Sequence, residues 1–592
     1  MARSAPVLEN GSDNRRRALK MADGRSQMKR HGHLGLLAMT VATVALASPA
    51  AAVPDLGAMP HLARTLAYHI PLADPIAEEI RLDITQEELS RKTADDTAFR
   101  ALAKFYEERN WAPAWTDKNG FTAGGMTLIE AIANADEDGL DPSAYILPQT
   151  RFTAAHKAEP RILAVAELTL VRAALAYAHD AQGGRFKPKS ISGYINAEPT
   201  FPEPLSVLEA LARAPRPANV LVAYNPPHMG SRKLKEKLAE LRATEAVAEK
   251  PIRVPAGAAM RLGISDKRVP LLRKRLSVPT PTTRVAAAET VQTDAAPANP
   301  DPLVFDEALD TAVREFQKTA GLSPDGIVGP NTLRHLNGPA DANPVADIVA
   351  NMERWRWLPR KLGRFHVHVN IPEYLVRVNK NGRTVHQTRV VVGKPTNQTP
   401  IFSDEMEHIV VNPYWNVPVS IARKEMLPGI QANPGSYFAR RGYEVVYNGR
   451  VIDPTAVAWT PENVRKVRIR QRPGARNALG RIKFMFPNRH SVYLHDTPSK
   501  SLFQRDARAF SHGCVRVNNP LDFADAILAD NADWNSTRIK KLFGRSERRI
   551  DLPRHIPVHI TYFTTLVDQN GELRTLRDIY GHNARVKAKL GL

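Results

Sequence analysis

A chain of 592 residues with one cysteine, Cys514, has no internal disulfide framework available to it. The thiol also needs a reason to be there, because a free thiol in an exported protein oxidises or couples to partners. Nucleophilic attack is the chemistry that a thiolate supplies. The surrounding text supports that role. It reads Ser511-His512-Gly513-Cys514-Val515-Arg516-Val517, with His495 nineteen residues upstream.

Export is read from the N-terminus. Lys29 and Arg30 precede an apolar run from Leu34 to Ala47, and Ala50-Ala51-Ala52 offers a small-residue cleavage site. That run is shorter than the roughly 20 residues a membrane span requires. Residues 1–52 are therefore expected to be a signal peptide directing the chain to the periplasm, and an uncleaved anchor is the alternative. With the leader removed, no integral membrane domain is expected. There are 82 Lys+Arg against 61 Asp+Glu, a net charge of +21, and the leader accounts for +5 of it. Outside the cytoplasm the counterpart of such a surface is anionic cell-wall polymer or membrane rather than nucleic acid.

The rest of the chain divides by pattern. Residues 53–94 read as an extended lead-in. Residues 95–245 are helical text with aromatics, Phe105, Tyr106, Trp111 and Trp115, that suit a core, and 161–181 form one long amphipathic helix. Residues 255–337 hold short helices at Val269–Leu276 and Asp306–Ala320, a tight turn at Asp325-Gly326 and a third helix. A Pro/Ala/Thr-rich insert at 278–301 is expected to be disordered. From 345 to 570 the text turns to strands. Phe365–Ile371, Tyr374–Val378 and Thr384–Val392 alternate, with Asn379-Lys380-Asn381-Gly382 as the hairpin turn. Further strands are expected at Arg481–Phe486, His490–Leu494, Gly513–Val517 and Pro557–Phe563. Residues 419–476 read as an inserted subdomain near the active face, and 571–592 as a C-terminal tail. The fold class is multidomain α+β: an all-helical N-terminal domain, a small three-helix module and a mainly β domain carrying an inserted cap.

A cysteine that attacks an acyl carbonyl needs a base and donors for the developing oxyanion. If Cys514 lies on a strand, His512 shares its face and Gly513 leaves the local amides open. His495 closes another expected strand, Ser491–Leu494, and is a second candidate base that spacing alone does not separate from His512. A lone cysteine without HExxH-type spacing argues against zinc.

His495 followed by Ser511-His512-Gly513-Cys514-Val515-Arg516 resembles the motif of the L,D-transpeptidase (YkuD) catalytic domain. Wider stretches look like the large periplasmic YcbB-type subgroup, among them Val392-Gly393-Lys394, Gln398-Thr399-Pro400, Asn412-Pro413-Tyr414-Trp415-Asn416-Val417-Pro418, Tyr493-Leu494-His495-Asp496-Thr497 and Asp578-Ile579-Tyr580-Gly581. Phe316-Gln317, Gly321-Leu322, Asp325-Gly326, Gly329-Pro330 and Thr332-Leu333 resemble the signature of the three-helix peptidoglycan-binding module. The resemblance implies Cys514 as nucleophile and His495 as its base. His512, Gly513, Arg516 and Asn518 then line the site, and the Cys514 amide and Tyr493 hydroxyl serve as oxyanion donors. The implied reaction joins diaminopimelate residues of two peptidoglycan stems through a Cys514 thioester, with no cofactor and no metal. The implied partners are stem peptides, glycan and cell-wall synthesis proteins. An L,D-carboxypeptidase or a non-catalytic wall-binding scaffold are the alternatives. A papain-like protease would place its histidine far downstream of the cysteine, whereas His495 lies upstream.

Overall fold

The computed structural model describes residues 71–90, 96–247, 252–280, 301–320, 322–337 and 343–592, within one compact unit from Pro71 to Leu592. The expected leader 1–52, the lead-in up to residue 70, Gly321 and nearly all of the 278–301 insert lie outside the described residues. The later part of the expected lead-in is not extended. Pro75–Ser90 is a helix that buries Ile76, Ile80 and Ile84. These sit four residues apart, a single stripe that only a facing helix turns into a core.

That facing helix is Pro160–Gly183, the centre of the helical domain. Its Leu163, Leu170, Val171 and Tyr177 are buried with Phe99, Phe105, Tyr106 and Trp115. It is long and apolar enough to cross a membrane, yet 67% of its most apolar window is packed inside the protein. A buried carboxylate, Glu167, organises the aromatic end. It accepts from the Tyr106 hydroxyl at 2.7 Å, from the Ala114 amide at 2.7 Å and from Thr116 Oγ1 at 3.0 Å. Burial raises its pKa despite those donors.

The three-helix module is built from Val269–Arg275, Glu307–Thr319 and Pro330–Asn337. Its signature residues tie the module together. Gln317 donates to Asp325 Oδ1 at 2.8 Å and accepts the Gly326 amide at 2.9 Å. Its Nε2 also lies 3.2 Å from Thr332 Oγ1.

The C-terminal domain is a nine-stranded sheet. Its strands are β1 (Phe365–Asn370), β2 (Leu375–Lys380), β3 (Arg383–Gly393), β4 (Phe402–Val411), β5 (Ile482–Met485), β6 (Leu494–His495), β7 (Ala509–Ser511), β8 (Val515–Val517) and β9 (Arg548–Thr561). The order is β7-β3-β8-β6-β5-β4-β9-β1-β2, and β2 also pairs with β3, so the sheet closes on itself. Alternate residues point inward as the pleat requires. Val367 and Val369, Val376 and Val378, Val390 and Val392, Ile409 and Val411, and Val515 and Val517 fill one core. Asn381 and Gly382 turn β2 into β3 with φ of 51° and 79°, the left-handed pair that a two-residue hairpin needs.

Between β4 and β5 the chain leaves the barrel. Residues 415–471 build a separate four-stranded sheet in the order Trp415–Asn416, Arg468–Gln471, Tyr443–Tyr447, Arg450–Ile452, with its own core around Val417, Ile430, Phe438 and Trp459. The chain's end, read from sequence as a tail, holds the helix His582–Leu590. Val586 and Tyr580 from this region are buried in the barrel core.

Candidate active site

Cys514 and His495 line one cleft of about 400 Å³ at the join of β6 and β8, together with Tyr493, Ser511, His512, Arg516, Trp415, Ile421 and Glu425. The two strands run parallel, in the register Leu494↔Val515 and His495↔Arg516. Cys514 stands just before β8 and is half-buried.

Two expectations about local conformation are corrected. Residues 511–514 are not one strand, because β7 stops at Ser511 and Gly513 takes φ +118°. An L side chain rarely adopts that angle, so glycine is required by the backbone and not by a lack of room, the nearest atom to an added Cβ being Gln398 O at 3.5 Å. His512 and Cys514 therefore do not share a strand face, though both border the cleft. The expected strand before His495 is also shortened to Leu494–His495. Ser491 is left-handed at φ 53°, and the Asn488 side chain caps the turn by donating to Val492 O at 2.7 Å. This turn presents Ser491 O to the Cys514 sulfur at 3.9 Å.

His495 is 3% exposed. Its Nδ1 lies 2.5 Å from the Asp496 carbonyl. A carbonyl only accepts, so Nδ1 carries the hydrogen and Nε2 keeps its lone pair. Burial, helped by the Arg516 charge, lowers its pKa to about 4. Burial likewise raises the Cys514 thiol to about 11, against the opposing pull of a Tyr493 backbone hydrogen bond and of Arg516. Both groups are neutral at pH 7. The Tyr493 hydroxyl is hydrogen-bonded to Cys514 and is held well above its ordinary pKa, so it remains a donor. Among the described residues the Cys514 amide has no acceptor. Arg516 is half-buried and its Nε has no partner.

The loop carrying Cys514 is braced from behind. Thr399 Oγ1 donates to Gly513 O at 2.8 Å and accepts the Gly393 amide at 2.8 Å. Tyr580 donates its hydroxyl to Gly393 O at 2.5 Å and accepts the Thr399 amide at 3.3 Å. Gly393 permits this, because an added Cβ would lie 2.2 Å from Asn397 O. Thr399 and Tyr580 belong to stretches that carried the family resemblance, but nothing in their spacing assigns them to this loop. Asn518 is not among the cleft residues. β8 ends at Val517, the chain turns at Asn519 with φ 48°, and the Asn518 backbone pairs with β3, its N–H donating to Arg389 O at 3.0 Å. His512 turns to the inserted subdomain, with Nε2 2.5 Å from Glu425 Oε1 and Lys394 Nζ beside it at 3.4 Å. Spacing gave no sign of Lys394 or Glu425.

Comparison with known proteins gives three family matches along the chain. Residues 364–544 match the L,D-transpeptidase catalytic domain (YkuD), residues 100–238 a scaffold domain, and residues 294–336 a family described as "Putative peptidoglycan binding domain". A Haemophilus influenzae protein named "Putative L,D-transpeptidase" is 34% identical over 252 residues, 42% of this chain and 50% of that protein. The match thus spans about half the length of the curated relative. Among solved structures, an L,D-transpeptidase from Xylanimonas cellulosilytica is 15% identical and covers 52% of this chain and 99% of that one, with a TM-score of 0.15. An L,D-transpeptidase from Mycobacterium smegmatis is 13% identical, covers 33% and 58%, and has a TM-score of 0.16. The chain carries an L,D-transpeptidase (YkuD) catalytic domain together with a helical scaffold domain and a peptidoglycan-binding domain.

Proposed function

We propose that this protein is a cysteine-dependent L,D-transpeptidase that joins diaminopimelate residues of neighbouring peptidoglycan stems. The observation that carries the reading is the meeting of Cys514 and His495 in one cleft of a domain that matches this family. In the first step the Cys514 sulfur attacks the carbonyl between the L-centre of meso-diaminopimelate and the terminal D-Ala of a tetrapeptide. The thiol proton passes to His495 Nε2 and then to the departing D-Ala amine, leaving a thioester. The side-chain amine of a second stem then attacks the thioester, gives up a proton to His495, and releases the thiol. Thiol and imidazole are neutral at rest, so proton transfer accompanies attack and no thiolate is stored beforehand. The free Cys514 amide and the Tyr493 hydroxyl are the oxyanion donors, and Arg516 favours the negative charge developing beside it.

The peptidoglycan-binding domain and the basic surface fit a cell-wall substrate, and the leader fits export to the periplasm. The test is intact mass after mixing protein with a tetrapeptide stem. Wild type is expected to gain the mass of the tripeptide acyl group and Cys514→Ala to gain none. Addition of a second stem should then give the diaminopimelate–diaminopimelate dimer. Acylation of the Cys514→Ala variant, or no acylation of wild type, overturns the assignment.

A further inference from the structure

The mouth of the cleft holds a contact between the barrel and the inserted subdomain that the proposed chemistry leaves unused. Glu425 sits in the π-helical turn Ala422–Met426, whose Ala422 and Met426 are buried in the subdomain core. Such turns are rare inside helices and recur at functional sites. This one carries Glu425 to His512 Nε2 at 2.5 Å and to within 3.9 Å of Lys394 Nζ. Lys394 is itself fixed to the catalytic loop, since its amide donates to Ser511 O at 2.9 Å. Two cationic or hydrogen-donating side chains thus converge on one carboxylate at the entrance to the Cys514 cleft. All three side chains are partly exposed, and ion pairs in that setting are weak and exchangeable.

We propose that Lys394 and His512 form a carboxylate subsite for the stem peptide, and that Glu425 occupies it when no substrate is present. This rests on the transpeptidase reading for the identity of the ligand, a stem whose D-Glu and distal diaminopimelate carboxylates, unlike that of the departing D-Ala, stay with the acyl group and are the ones the subsite reads. An incoming carboxylate replaces Glu425 like for like, so the donors are never left bare. The exchange also releases the inserted subdomain from the catalytic loop.

Binding is tested in the full chain carrying Cys514→Ala, by calorimetry with the tetrapeptide L-Ala-γ-D-Glu-meso-diaminopimelate-D-Ala and with analogues amidated singly at the D-Glu or the distal diaminopimelate carboxyl. Adding Lys394→Met should weaken binding of the free acid about tenfold, the scale of one charge-assisted hydrogen bond. The same variant should leave one of the two amidated peptides unaffected, which identifies the carboxylate read. Glu425→Gln should tighten the free acid several-fold by removing the competitor. Equal weakening of all three peptides by Lys394→Met, no weakening, no measurable binding, or loss of affinity in Glu425→Gln overturns the subsite. Thioester formation by the Cys514 protein is scored separately. Lysine-dependent binding without a thioester defeats the transpeptidase reading alone, and a thioester without lysine dependence defeats the subsite alone.

Discussion

At the scale of the residue, the site is defined by two neutral partners. With Cys514 raised to about 11 and His495 lowered to about 4, alkylation of the free protein by iodoacetamide is expected to rise only toward pH 11. Measuring that rate against pH checks it, and a plateau reached near pH 7 would show a stored thiolate. Acylation by the donor stem should instead persist to low pH, falling as His495 takes up its proton near pH 4. His495→Ala should reduce acylation about 10²–10⁴-fold while leaving the alkylation profile nearly in place, because the imidazole carries no charge at rest. Gly513→Ala tests the backbone. Its φ of +118° lies where an L side chain costs about 1–3 kcal/mol, so a lower melting temperature and slower acylation should appear together.

At the scale of the element, the Cys514 loop depends on segments distant in sequence. Thr399 and Tyr580 hold Gly513 and Gly393 from two directions. Thr399→Val removes a buried donor and acceptor at nearly constant volume, leaving Gly393 N–H and Gly513 O unpaired. The expected cost is about 1–3 kcal/mol for an unsatisfied buried group, measured by denaturant unfolding. A fall in kcat with KM nearly unchanged is expected to accompany it, because the loop moves while the cleft walls stay. The sequence showed most strands of this domain through their alternation, and showed the β2–β3 hairpin through Asn379-Lys380-Asn381-Gly382, of which Asn379 and Lys380 belong to β2. It did not show that Ser491 would cut the strand before His495 short, because left-handed serine has no spacing signature. The helix Pro75–Ser90 went unread for a related reason, since its three isoleucines acquire meaning only against Pro160–Gly183.

At the scale of the whole molecule, buried histidines make stability depend on acid. His495, His559 and His582 are buried, and burial holds each near pKa 4. Unfolding restores an ordinary value of about 6.5, so the unfolded chain takes up protons first as the pH falls. The stability from these groups is full above about pH 6.5, declines between 6.5 and 4 and is gone below 4. Melting temperatures measured from pH 7 to pH 4 should decline across that window, and His582→Asn should flatten the slope, His582 being buried with both ring nitrogens unpartnered. A melting temperature that rises on acidification would contradict this.

The sequence by itself pointed to the proposed chemistry: one cysteine in a 592-residue chain, its Ser-His-Gly context and an upstream histidine mark Cys514 as the candidate nucleophile. It also determined the order of helical, binding and β text, because periods of 3.6 and 2 are local properties of the chain. Only the tertiary structure decided which histidine keeps a free lone pair in the cleft. His495 is turned by the Asp496 carbonyl, whereas His512 is taken up by Glu425 from the inserted subdomain. It alone placed Thr399 and Tyr580 behind the Cys514 loop. Hydrogen bonds between residues more than a hundred positions apart depend on strand order and barrel closure, and neither is written in local spacing.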